Sequence, residues 1–234
     1  MKSFKAFILL ISVIMCTGEF INAQDWPDLE RFKEENAKLG QPAAGEKRII
    51  FMGNSITQCW SDSDPDFFKG RPYLNRGISG QTTPQMLIRF RQDVIALNPA
   101  VVVLLAGTND IAGNTGPSTL EMIVDNISSM AELARVHGIK VIICSVLPAF
   151  DYPWKPGLHP DQKIPALNAM LKKYADENGF AYLDYFAAMV GEQNGMKKEL
   201  TYDGVHPTLA GYKVMEPMVE DAITKALRSH HKKH

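Results

Sequence analysis

Three cysteines among 234 residues are too few for a framework of disulfides. An excess of one charge is missing too: 25 Lys and Arg against 26 Asp and Glu leave a formal net charge of -1. That balance supplies no field to gather nucleic acid or an anionic membrane surface, so neither is an expected partner. No apolar run is long enough to cross a bilayer as a stable helix, and no low-complexity linker or internal repeat divides the chain. A Gly-x-Ser-x-Gly stretch is absent as well, which excludes the strand-to-helix serine elbow of the lipase-type α/β-hydrolases. The Cys, His and carboxylate positions show no ligand spacing, so neither a metal nor an organic cofactor is called for.

The first 23 residues differ from the rest. Lys2 and Lys5 precede a short apolar stretch over 6–16, and Ala23 offers a small residue for cleavage. These features predict a secretory signal peptide over 1–23 and a secreted or periplasmic protein without stable membrane insertion after cleavage. Cys16 as a lipid acceptor is the alternative, with Met15 before it a poor fit. Cys59 and Cys144 remain in the mature chain. Cys144 lies in the apolar run "VIICSV" and reads as a small core residue, so no disulfide is expected. The three histidines of the tail "RSHHKKH" are expected on a frayed, solvated end.

Residues 24–234 predict one domain, with 45% of the whole sequence hydrophobic and no second core in view. A polar opening carries one amphipathic segment, "LERFKEENAKL". Apolar runs of strand length then follow at 48–52, 73–78, 100–106, 140–146 and 180–184. Amphipathic segments at 83–97, 118–137, 163–178 and 209–228 separate or follow them. Strict alternation of strand and helix implies parallel strands with crossover helices on both faces. The expected fold is a three-layer α/β/α sandwich with a five-stranded parallel sheet in the flavodoxin-like order 2-1-3-4-5.

In such sheets the site lies outside the carboxyl ends of the strands. The first apolar run ends on "GNSIT" and delivers Ser55. A serine hydroxyl needs a base, and the base needs a carboxylate to hold its tautomer. "DGVHP" offers both as Asp203 and His206, three residues apart around Gly204. His159 is the rival base, with Asp161 near it. An oxyanion formed during acyl transfer needs donors; the amides of Ser55 and Gly77 and the side-chain NH₂ of Asn109 are the candidates, each also readable as a turn or cap residue. The aromatic residues Trp60, Phe150, Tyr152 and Trp154 fall near the same rim, where Trp60 and Trp154 are candidate substrate contacts or core anchors.

As an ordered set, "GNSIT", "NRGISG", "GTND" and "DGVHP" resemble the four blocks of the SGNH hydrolases, also called the GDSL esterase/lipase family. The resemblance covers nearly the whole mature chain. It implies Ser55 as nucleophile, His206 as general base, Asp203 as its orienting acid, and an oxyanion hole of Ser55, Gly77 and Asn109. Where the family has Asp, this chain has Asn54, which keeps the hydrogen-bonding shape but not the charge. "NRGISGQTT" is most similar to the subgroup of platelet-activating-factor acetylhydrolase subunits and secreted carbohydrate acetylesterases. That likeness implies a serine esterase for short acyl groups, O-acetyl on a glycan or small molecule. A lysophospholipase or thioesterase of the same fold, and a carbohydrate-binding protein without chemistry, are the rival readings.

Overall fold

A computed structural model describes residues 25–229. The expected signal peptide and the three tail histidines lie outside them. The elements run α1 (Lys33–Leu39), β1 (Ile49–Gly53), α2 (Ser55–Ser63), α3 (Pro65–Phe68), β2 (Tyr73–Gly77), α4 (Thr83–Asp93) and β3 (Val101–Leu105). They continue with α5 (Thr108–Ile111), α6 (Leu120–Val136), β4 (Lys140–Cys144), α7 (Pro160–Asn178), β5 (Ala181–Leu183), α8 (Tyr185–Met189) and α9 (Leu209–Arg228). The five strands form one sheet in the order β2-β1-β3-β4-β5, every pair parallel. Fold class and strand order are those expected from the alternation of apolar runs. Among the described residues, no helix is long and apolar enough to cross a membrane.

Successive strand residues point to opposite faces and so supply two cores. Ile50, Met52, Val102, Leu104, Val141 and Ile143 meet α4, α6 and α7 on one face. Ile49, Phe51, Val101, Val103 and Ile142 meet α2, α3, α8 and α9 on the other. Burial on both faces explains why β1 and β3 are apolar along their whole length. Register then sets the height of the rim: Gly53 at the end of β1 stands level with Gly77 on β2 and Leu105 on β3.

The structure refines several boundaries. A 3₁₀ turn, Ile95–Leu97, replaces the last part of the helix expected over 83–97. α7 begins at Pro160, earlier than expected, because His159 adopts a left-handed conformation and the proline occupies the first helical turn. Helices α2, α3, α5 and α8 were not expected from the sequence; the longest has nine residues, too few for a clear periodic signal.

Two features hold the rim in place. At the start of α4, Thr82 and Gln85 form a reciprocal capping box, and Asp110 accepts from both the amide (3.0 Å) and the hydroxyl (2.6 Å) of Thr83. Further along α4, buried Arg89 donates to the carbonyls of Gly53 (3.2 Å) and Arg76 (2.8 Å), to Gln81 Oε1 (2.6 Å) and to buried Asp93 (3.0 Å). One guanidinium thus ties the ends of β1 and β2 to the loop beyond β2.

Candidate active site

Ser55 is the first residue of α2, so its amide is one of the donors that a helix start leaves without an intrahelical partner. Asn54 caps that helix: its buried Oδ1 accepts from the Ile56 amide at 3.0 Å. This is work a neutral amide does as well as a carboxylate, which explains why Asn serves here.

Ser55 Oγ lies 2.9 Å from His206 Nε2, and His206 Nδ1 lies 2.7 Å from Asp203 Oδ2. With the carboxylate accepting a hydrogen bond from Nδ1–H, Nε2 is left to accept from the serine hydroxyl. Asp203 Oδ1 in turn accepts from the amides of Val205 (2.9 Å) and His206 (2.7 Å). Partial burial pushes the Asp203 carboxyl up, but the hydrogen bonds from His206 and Val205 outweigh it and hold the group below its usual range. Gly204, at φ +88°, makes the tight turn possible, and Thr201 Oγ1 pins it by accepting from the Gly204 amide and donating to the His206 carbonyl. His159, by contrast, sits exposed at the start of α7, 3.9 Å from Asp161.

The donor set differs from expectation at one position. The Gly77 amide is already bonded to Asn75 Oδ1 at 2.8 Å, so its single proton is not free for an oxyanion. Gly77 is small for another reason: a Cβ there would stand 2.2 Å from the Gln58 amide nitrogen of α2. Three residues on, Gly80 occupies a turn closed by the Gln81 amide and the Ile78 carbonyl, at φ +78°. Among the described residues its amide has no acceptor. Asn109 lies beside this turn, giving one Nδ2 proton to the Gln81 carbonyl at 3.0 Å and keeping the other. The φ > 0 that Gly80 supplies is the signal in "ISGQTT" that marks it as a turn glycine.

The aromatic candidates separate. Trp60 is a correction: it is 1% exposed, stacked on Phe67 (5.0 Å) and Tyr212 (5.3 Å), and belongs to the core rather than to a substrate surface. Trp154 is 46% exposed and its ring lies 6.0 Å from that of His206. Behind it, buried Tyr152 stacks on Trp154 at 5.2 Å and meets Thr108 Oγ1 at 2.9 Å through its hydroxyl. Tyr202, which the sequence reading passed over, is 67% exposed and stacks on His206 at 5.8 Å and 12°. Its position directly before "DGVHP" was the available clue. No group of three or more His, Cys, Asp or Glu side chains among the described residues could hold a metal ion.

A serine, a histidine and an aspartate bonded in series, at the carboxyl rim of a doubly wound parallel sheet, define the class of serine hydrolases. The chain belongs to the GDSL-like lipase/acylhydrolase family, whose model matches residues 51–214. It is similar to a GDSL-like lipase from Bacteroides thetaiotaomicron, at 50% identity and a TM-score of 0.84 over 86% of this chain and 98% of that one. Esterase TesA of Pseudomonas aeruginosa is 32% identical over 58% of this chain and 62% of its own length. An acetylxylan esterase of Xylanibacter ruminicola is 26% identical over 64% of this chain but only 35% of its own. The chain thus spans less than two thirds of either curated relative.

Proposed function

We propose that this protein is a secreted serine esterase that removes short acyl groups, with O-acetyl on carbohydrate as its substrate class. The observation that carries the reading is the unbroken Ser55–His206–Asp203 relay. In the proposed reaction Ser55 Oγ attacks the ester carbonyl carbon and its proton passes to His206 Nε2. The oxyanion is held by the amides of Ser55 and Gly80 and by the free Nδ2 proton of Asn109. The alcohol leaves with the proton from His206, and the resulting acyl-serine is hydrolysed by water that His206 deprotonates. Asp203 keeps the imidazole oriented and stabilises its charged form. Exposed Trp154 and Tyr202 beside His206 give flat apolar faces suited to a sugar ring.

Acetate release from acetylated xylo-oligosaccharides, with wild type and Ser55→Ala side by side, tests this reading. Release is expected from wild type, with kcat lower by about 10⁴-fold or more in the variant. Equal release by both proteins would remove Ser55 as nucleophile. A preference rising toward long acyl chains would transfer the assignment to a lysophospholipase or thioesterase.

A further inference from the structure

A cavity of about 670 Å³ opens beside the triad. One wall is the loop after β4, including Phe150 and Tyr152; the other is the hairpin between α8 and the triad turn, including Gln193 and Lys198. Asp203 and Gly204 of the triad turn line it as well. The donors proposed for the oxyanion come from the opposite half of the rim, beyond β1, β2 and β3, and none of them lines this cavity. Because His206 must hand its proton to the leaving alcohol, the alcohol side of an ester lies against the imidazole, which is flanked by Trp154 of the loop after β4 and by Tyr202. We infer that this cleft is a subsite for the alcohol portion of the substrate, and that its occupant is a neutral oligosaccharide chain; the inference rests on the esterase reading above.

The lining chemistry selects that occupant. Phe150 is 52% exposed and supplies an apolar face. Beside it the side chains of Gln193, Lys198, Glu192 and Glu199 are exposed and make no hydrogen bond or ion pair among the described residues. Donors and acceptors thus stand together, as the hydroxyls of a sugar require. Four carboxylates, from Asp151, Glu192, Glu199 and Asp203, face two ammonium groups, from Lys197 and Lys198, so a phosphate-bearing alcohol would meet net repulsion. A volume of this size lies within the ordinary range for ligand pockets and far exceeds what an acetyl group fills. The wall is also preformed. Gln193 and Asn194 hold consecutive left-handed conformations at the hairpin tip, and Asn194 Nδ2 fastens that tip to the Asp161 carbonyl of α7 at 3.0 Å.

Two measurements on the whole protein test the subsite. The first is calorimetric binding of unacetylated xylotetraose, which offers no ester to cleave. The second is the ratio of kcat/KM for mono-acetylated xylotetraose to that for mono-acetylated xylose. Wild type is expected to bind the tetraose and to prefer the longer ester; in Phe150→Ala both binding and preference fall by about five- to tenfold. A partly unfolded variant lowers both rates and leaves their ratio intact, so the ratio isolates the subsite. Absence of tetraose binding by wild type, or unchanged binding and ratio in Phe150→Ala, overturns the inference. Turnover of both esters at equal kcat/KM, without tetraose binding, would leave the esterase and remove the subsite. Binding with no turnover of either ester would remove the esterase reading and leave a glycan-binding cleft that is no longer a subsite for an ester's alcohol.

Discussion

Asn75 decides the fate of Gly77. By accepting the Gly77 amide it withdraws that proton from the rim, while the close approach of α2 makes any side chain at 77 a clash. Gly77→Ala should therefore lower stability by about 1–3 kcal/mol in urea unfolding, with kcat of the folded fraction retained. Unchanged stability with a large fall in kcat would restore Gly77 to the donor set. Asn109→Ala should behave in the opposite sense, lowering kcat by about 10²–10³-fold; a rate near wild type would remove Asn109 from the oxyanion hole. Trp60→Ala should cost about 3–5 kcal/mol of stability, since it empties the aromatic stack with Phe67 and Tyr212. A Trp60 variant with native stability and a raised KM for glycans would reinstate it as a substrate contact.

At the scale of elements, α4 does more than cover the sheet. Its Arg89 binds the carbonyls of Gly53, the last residue of β1, and of Arg76, the last but one of β2, the two strands after which Ser55 and the Gly80 turn follow. Arg89→Met should destabilise by about 3–5 kcal/mol, because it leaves the fully buried Asp93 carboxylate without its partner. A thermal melt matching wild type would show that Asn36, the second group on Asp93, suffices to hold it. The strands and long helices were legible because both sheet faces are covered, so Val- and Ile-rich runs alternate with amphipathic ones. Helices α3, α5 and α8 span four or five residues and depend on caps and tertiary packing, which periodicity does not record. For the same reason Ser55 read as the tip of a turn, although it opens α2.

For the molecule as a whole, one buried acid gives stability a pH dependence. Burial pushes the Asp110 carboxyl up to about 6, with the Thr83 bonds opposing only in part. The folded state therefore holds this proton more tightly than the unfolded chain. Its contribution is most favourable below pH 4 and falls by on the order of 3 kcal/mol as pH rises toward 6, then levels off. Unfolding free energies of wild type minus those of Asp110→Asn should trace that decline; a flat difference between pH 4 and 7 would place the Asp110 carboxyl in its ordinary range. The candidate triad was legible for a related reason of scale. "DGVHP" carries its acid and base in one self-bonded turn, so sequence spacing alone conveyed their contact. Gly80 escaped notice because Asn75, two positions before Gly77, decides which amide stays free, and only the folded loop shows that bond.

The compactness of that turn has a consequence in time. Asp203 and His206 follow the last strand of the sheet, whereas Ser55 follows the first. During synthesis the sheet's first three strands and their loops are made before the turn that carries Asp203 and His206. A chain halted between β5 and the triad turn therefore holds Ser55 without the base proposed for it, and the proposed site closes only once that turn has followed.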